Sequence, residues 1–253
     1  MKKLLFASDI DNTLMFSYRY RIDSDLCIER LDGKEQGFLS AGTPMLLERV
    51  NAACLFVPVT TRSVAQYKRI QWPEGCDAKY AVAANGGILL VDGEADEAWL
   101  KDSREMIAPW RSEMERMLSV LEASEMCRVQ SIIDEMFLFA ACNNAEEAQL
   151  LKAHFEDETT LTVELTGRKV YFFPEPLHKG AALQRLQERF CPDRTFSAGD
   201  SPIDVPMLSA ADVAAAPARL DVSACENKIL VHSGSERFAE FILENVLREI
   251  EEI

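Results

Sequence analysis

The chain has 253 residues, 48% of them hydrophobic, enough for one large domain or two moderate ones with a real core and too apolar for a disordered chain. With 42 acidic against 27 basic side chains its formal charge is −15, which repels nucleic acid and anionic lipid. Any anionic substrate must therefore meet a local positive charge or a metal. Seven scattered cysteines without a Cys-x-x-Cys pair and three histidines give neither a disulfide framework nor a zinc site.

Along the chain, the apolar run Leu4-Leu5-Phe6-Ala7 reads as a buried strand ending in Ser8-Asp9-Ile10-Asp11-Asn12-Thr13. Lys2-Lys3 before that run resembles the start of a leader, but the run is too short and Asp9 and Asp11 interrupt it. No later segment approaches the ~20 apolar residues of a membrane span, so the chain reads as cytoplasmic. If the backbone stayed extended, Asp9 and Asp11 would point the same way, an arrangement of like charges that needs a cation or a proton to offset it. Such a pair at a strand end suits metal-assisted phosphoryl transfer, with one Asp attacking and the other moving protons while Mg²⁺ screens both.

A polar stretch over Phe16–Gly42 reads as a small hairpin or flap near that strand end, and Thr43-Pro44 starts a helix with Thr43 as its cap. Leu55–Val59 is a second strand, ending in Thr60-Thr61-Arg62-Ser63, with a helix over Val64–Ile70. Tyr80–Ala84 is a third, closed by Asn85-Gly86-Gly87. Strands alternating with helices predict a parallel sheet covered on both faces. The character then changes to a long amphipathic helix (Asp102–Ala123) and two strands (Met126–Ile133, Glu135–Ala141). A second helix (Ala145–Phe155) and two further strands (Thr160–Leu165, Lys169–Phe173) repeat the order. From Lys179 alternation resumes, with a helix to Phe190, strands at Thr195–Ala198 and Val213–Ala216, a helical turn at Val205–Ala210 and a last helix over Ser235–Ile253. The expected fold is α/β: a doubly wound, Rossmann-like parallel-sheet core over residues 1–87 and 174–253, with an inserted α+β cap domain over residues 88–173.

In such a sheet ligands bind beyond the carboxyl ends of the strands, where four polar clusters fall: Asp9 with Asp11, Thr60, Lys179, and Asp200 with Asp204. A carboxylate nucleophile needs its charge and that of the phosphate offset, which a metal, an ammonium and hydroxyl or backbone donors supply. Asp9-Ile-Asp11-Asn-Thr13, Thr60, Lys179 and Gly199-Asp200-Ser-Pro-Ile-Asp204, in this order and spread over most of the chain, resemble the motifs of the haloacid dehalogenase superfamily of phosphohydrolases. The insertion between the second and third motifs, and Asn85-Gly86, resemble the branch with an α/β cap. That branch includes the Cof-like sugar phosphatases, sucrose-phosphate phosphatase and mannosyl-3-phosphoglycerate phosphatase.

The resemblance implies a Mg²⁺-dependent phosphatase acting on a small phosphorylated metabolite. It makes Asp9 the nucleophile and Asp11 the acid and base, an acid that the superfamily's dehalogenases lack. Thr60 would bond the phosphate, and Lys179 would hold both the phosphate and Asp9. Asp9, the carbonyl of Asp11, Asp200 and Asp204 would serve the metal, Asp204 as a further ligand or from behind one. Thr61, Arg62 and Asn85 are the remaining candidates to touch phosphate. Thr60 and Thr61 are equally placed to cap the next helix, and Arg62 suits phosphate, the cap or an exposed ion pair. His178 is either structural or a substrate contact. Arg19 and Arg21 reach a substrate anion or guard a strand edge, while Gly167-Arg168-Lys169 is a charged turn or a specificity loop. Ile203 departs from the Asn common in Cof-like members and puts Asp204's role in doubt. A phosphotransferase or mutase, and a weakly active metabolite- or protein-binding member, are the rival readings; monomer and homodimer are both compatible with the acidic surface.

Overall fold

The computed structural model describes residues 2–252; Met1 and Ile253, where the expected core and last helix begin and end, lie outside the described residues. The chain divides into two compact units, Asp96–His178 and the two flanking stretches together. In the flanking unit, the strands Lys228–His232, Val213–Pro217, Arg194–Ala198, Leu4–Ser8 and Leu55–Pro58 lie side by side in that order, all parallel. Leu4–Ser8 is the second strand from one edge, and all of its residues are buried, as a strand covered on both faces requires.

One face carries the helices Thr43–Ala53 and Phe238–Glu251, whose Leu46, Leu47, Val50, Ile242, Leu243 and Val246 pack with Phe6, Phe56 and Phe196 of the sheet. Each such side chain, fully buried, contributes about 1.5–3 kcal/mol. The other face carries Val205–Ser209, with Leu208 against Ala214 and Ala216, and the helix Lys179–Phe190 beside it. Thr43 does not cap the first of these helices: Gly42 occupies the cap position without a side-chain bond. Glu240 of the last helix instead accepts from Gly42 N (3.0 Å) and Ser40 Oγ (2.7 Å), placing a negative charge at the helix N-terminus.

Three expectations change here. Tyr80–Ala83 meets the parallel sheet through one bridge, Val59 to Val82, and pairs mainly antiparallel with Ile88–Val91, which pairs in turn with Glu94–Ala95. Ala84, Asn85 and Gly86 all have positive φ, reversing the chain into this meander, so the insertion begins at Asp96 and not at residue 88. The return comes at Lys179 and not at residue 174. Lys228–His232 is a strand that the sequence reading left out; as a half-exposed edge flanked by Lys228 and His232 it lacks a continuous apolar run. The flap is a three-stranded antiparallel sheet of Phe16–Ser17, Lys34–Leu39 and Leu26–Leu31, turning at Asp32-Gly33 with positive φ at both.

The unit Asp96–His178 has an antiparallel sheet ordered Thr162–Thr166, Lys169–Phe173, Phe137–Cys142, Cys127–Ile133. Helices Arg111–Glu122 and Ala145–Phe155 pack against it, the first through the buried Met114, Met117 and Leu121. The single long helix expected over Asp102–Ala123 is two, Glu97–Ile107 and Arg111–Glu122, separated by a turn at Ala108–Trp110. Pro109 is the cause: it lacks an N–H and its ring crowds the preceding turn. Gly167 (φ 61°) and Arg168 form the tight turn between the strands Thr162–Thr166 and Lys169–Phe173. Among the described residues no helix is long and apolar enough to cross a membrane.

Candidate active site

The strand Leu4–Ser8 delivers Asp9 to the carboxyl edge of the sheet, where its N–H continues the ladder to the Ala198 carbonyl (2.9 Å). The chain then stops being extended. Ile10 O accepts from the N–H groups of Thr13, Leu14 and Met15, and Asn12 takes a left-handed φ of 60°. Asp9 and Asp11 consequently find different partners. Asp9 is buried: Oδ1 accepts from Lys179 Nζ at 2.5 Å and Oδ2 from Thr13 Oγ1 at 3.1 Å.

Lys179, the first residue of its helix, is 1% exposed and also donates to Asp204 Oδ1 at 2.5 Å. Two close approaches set this geometry. A Cβ on Gly180 would lie 2.6 Å from the Pro206 carbonyl, and one on Gly199 would lie 2.3 Å from the Asp204 Cβ. Asp204 Oδ2 accepts from Asp200 N (3.0 Å), Ser201 N (3.0 Å) and Ser201 Oγ (2.8 Å). With Lys179 on Oδ1, this carboxylate accepts four hydrogen bonds, three of them on Oδ2. Asp204 therefore holds Lys179 and the Asp200 loop in place. Ile203 is buried, and Ser201 supplies the side-chain partner on that loop. Asp200 Oδ2 accepts from the exposed Arg219 at 2.5 Å.

Carboxylate oxygens of Asp9, Asp200 and Asp204 lie within 4.8 Å of one another. Burial, with Asp204 and Asp11 adding repulsion against the attraction of Lys179, pushes the Asp9 carboxyl up to about 8. Burial and Asp204, opposed by Arg219 and Lys179, push Asp200 up to about 6. Burial works against the Lys179 ammonium, yet Asp204 and Asp9 together outweigh it and hold it above the ordinary lysine range. Three ionised acids facing the buried Lys179 ammonium and the exposed Arg219 guanidinium leave one negative charge in excess. That charge, borne on oxygen donors alone, fits a hard divalent cation, and Asp9 and Asp200 have coordination positions left to give.

Thr60 follows the strand Leu55–Pro58 and is fully buried; its N–H bonds Val82 O and its carbonyl accepts from Asn85 N, both at 2.9 Å. The ends of two strands are thereby joined, bringing Thr60 and the buried Asn85 together. Thr60 Oγ1 accepts from Arg62 N at 3.1 Å and keeps its own proton to donate. Neither Thr60 nor Thr61 caps the next helix: Ser63 does, in a capping box with Gln66. Thr61 is half-buried beside it.

Arg62 departs from the expectation that it touches phosphate. Nε and Nη2 hold both oxygens of Asp11 (2.7 and 2.9 Å), and Nη1 and Nη2 hold both oxygens of the buried Glu29 (2.8 Å each). Its guanidinium fork is spent on two carboxylates, in a largely buried pair and not an exposed one. Arg21 pairs with Glu35 at 2.5 Å and stacks on Phe38, while Arg19 is fully exposed over Tyr18, so both have roles along the flap. Burial keeps the half-buried His178 below the ordinary histidine range. Glu29, Ser201 and Arg219 are the residues the sequence reading missed; Ser201 stood inside a motif, whereas Glu29 and Arg219 carry no local signal.

Residues 120–219 match the family model described as haloacid dehalogenase-like hydrolase. No curated protein matches the chain by sequence. Among solved structures, the sucrose-phosphatase from Synechocystis sp. PCC6803, in complex with sucrose and phosphate, superposes with a TM-score of 0.67 at 17% identity, over 99% of each chain. The C-terminal domain of C. albicans trehalose-6-phosphate phosphatase gives 0.63 at 14%, covering 99% of this chain and 92% of that one. A haloacid dehalogenase-like hydrolase from B. subtilis gives 0.59 at 19%, covering 96% and 99%. At these identities the likeness is one of fold. The fold is shared with these phosphatases and hydrolases, and residues 120–219 are similar to the haloacid dehalogenase-like hydrolase family.

Proposed function

We propose that the protein is a Mg²⁺-dependent phosphomonoester hydrolase that works through an aspartyl-phosphate on Asp9, with a small sugar phosphate as its substrate. The observation that carries this reading is the buried Asp9–Lys179–Asp204 set with Asp200 beside it, a nucleophile and its counter-charge at the carboxyl edge of the sheet. An Asp9 oxygen attacks phosphorus, the new O–P bond forms and the ester P–O bond breaks. Asp11 gives its proton to the departing alkoxide, then takes one from the water that attacks the acyl phosphate, releasing inorganic phosphate and restoring Asp9. Lys179 steadies the Asp9 carboxylate and the transferring oxygens, while the Thr60 hydroxyl donates to one of them. Asp9 and Asp200, with the Asp11 carbonyl, would hold Mg²⁺, which when bound offsets the charge shared by these acids and the phosphate.

The sugar-phosphate class is supported by solved structures of the same fold, those of a sucrose-phosphatase and a trehalose-6-phosphate phosphatase domain. The test is phosphate release from a panel of sugar and other metabolite phosphates, with Mg²⁺ and with EDTA. Metal-dependent release confined to a few related sugars is the expected result. Asp9→Asn should lower turnover by at least about a thousandfold with the fold intact. Retained turnover in that variant would overturn the nucleophile assignment, and transfer of label to an added sugar would replace hydrolysis with phosphotransfer.

A further inference from the structure

Glu29 is an acid in an unexpected place. It stands on the flap strand Leu26–Leu31, at an irregularity in the pairing with Lys34–Leu39, and is only 4% exposed. The irregularity turns its side chain inward. Besides both guanidinium arms of Arg62, Oε1 accepts from Arg69 Nε (3.3 Å) and Nη2 (3.1 Å). The backbone locks the same contact, with Gln71 N donating to Ile28 O at 2.7 Å and a bridge between Glu29 and Ile70. A chain of charges thus runs Arg69–Glu29–Arg62–Asp11, buried at its centre and opening to solvent at Asp11, whose side chain is 47% exposed.

The order of the charges matters. Were Asp11 the sole partner of Arg62, any protonation or displacement of Asp11 would strand a largely buried guanidinium, a costly event. Glu29 removes that cost, because Arg62 stays paired whatever Asp11 does. Arg69 in turn offsets the second half of the charge around Glu29. Asp11 meets a planar, two-pronged donor that stays in place while the carboxyl gains and loses its proton.

We propose that Glu29, on a strand outside the catalytic motifs, is the positioning residue for Asp11. It fixes and neutralises Arg62, and Arg62 orients the Asp11 carboxyl for proton transfer to the leaving group. This rests on the reading of Asp11 as the acid given above.

The experiment follows the first turnover of an alkyl phosphate and of 4-nitrophenyl phosphate at saturating Mg²⁺, reading release of the leaving group. The alkoxide needs a proton as it departs; 4-nitrophenolate does not. Glu29→Gln should lose at least about tenfold more rate on the alkyl phosphate than on the nitrophenyl ester, because general acid catalysis is worth about 10²–10⁴-fold where it is needed. In an Asp11→Asn background the same substitution should add little, since the two act as one unit. A general loosening of the fold would slow both substrates alike, and equal losses overturn the proposal, as does full additivity with Asp11→Asn. Where Glu29→Gln does not fold, Arg69→Met keeps the Glu29–Arg62 pair and should show a smaller bias of the same sign; equal losses there overturn it too. If Asp11→Asn itself shows no leaving-group bias, the acid role falls and this inference with it. A bias in Asp11→Asn with none in Glu29→Gln overturns the inference alone.

Discussion

In the unit built around the parallel sheet, Asp9, Lys179, Asp204, Glu29 and Glu249 are all buried charged residues; in Asp96–His178, among the described residues, no charged residue is buried and Ser103 is the buried polar one. The second unit fills its interior with Phe137, Leu138, Val170 and Phe172, and keeps charges such as Glu113 and Arg116 at or near the surface. Burying a charge is costly unless it is paired, so a fold that needed only stability would resemble the second unit throughout. In the first unit Asp9 and Asp204 share Lys179, and Glu29 is held by Arg62 and Arg69, whereas Glu249 pairs with Arg194 and Lys228. The set around Lys179 shows the pattern by which perturbed ionisation marks a functional site.

Removing one charge from each unit gives the widest separation. Lys179→Met strands Asp9 and Asp204 together, and should cost about 3–5 kcal/mol in a denaturation experiment along with all turnover. A loss under about 1 kcal/mol would mean that the buried set is not held as a unit. Arg116→Ala breaks a near-surface pair, 2.7 Å from Glu113, and should cost less than about 1 kcal/mol.

Between these extremes the units should respond to pH with opposite sign. Asp9 and Asp200 are raised from 3.8 to about 8 and about 6, so the folded state holds protons that the unfolded chain releases. Their contribution is full below pH 3.8 and is lost as pH rises through about 6 and then about 8. Glu113 is lowered from 4.5 to about 2, by the Arg116 bond against a partial burial cost and with help from Thr159. Its contribution is present above pH 4.5 and is lost as pH falls through about 2. Amide exchange resolved by residue, on metal-free protein from pH 5 to 8, should show protection around Asp9 and Lys179 declining while that around Glu113 holds. Added Mg²⁺ should restore the first and leave the second unchanged, with an increment that grows with pH, because the cation competes with protons for the same oxygens. A uniform response of both units to pH or to Mg²⁺ would remove the electrostatic distinction between them.

Much of the site was legible because its chemistry sits in short local segments. Asp9 to Thr13 and Gly199 to Asp204 each hold their key groups within a few residues, and each follows a strand, the first of them announced by an apolar run. Lys179 was found only by its order among the others. Partners brought from far along the chain were not legible: Glu29 meets Arg62 across 33 positions and Arg219 meets Asp200 across 19. Arg62 stayed open between phosphate, the cap and an ion pair for the same reason; its ion pairs are with Asp11 and Glu29, far away in sequence. The meander after Gly86 was missed although Asn85-Gly86-Gly87 is hairpin chemistry, and Pro109 was passed over inside an otherwise periodic helix.

By itself the sequence determined the alternation of strands and helices, because a strand covered on both faces must be apolar throughout and a surface helix must repeat its apolar residues every turn. It also determined which acids stand at the strand ends. Only the tertiary structure decided which charge answers which: Asp204 turned to Lys179, Asp11 to Arg62, and Glu29 brought in from the flap. Pairing energy depends on distance in space and on exclusion of water, and neither is written in the spacing of residues along a chain.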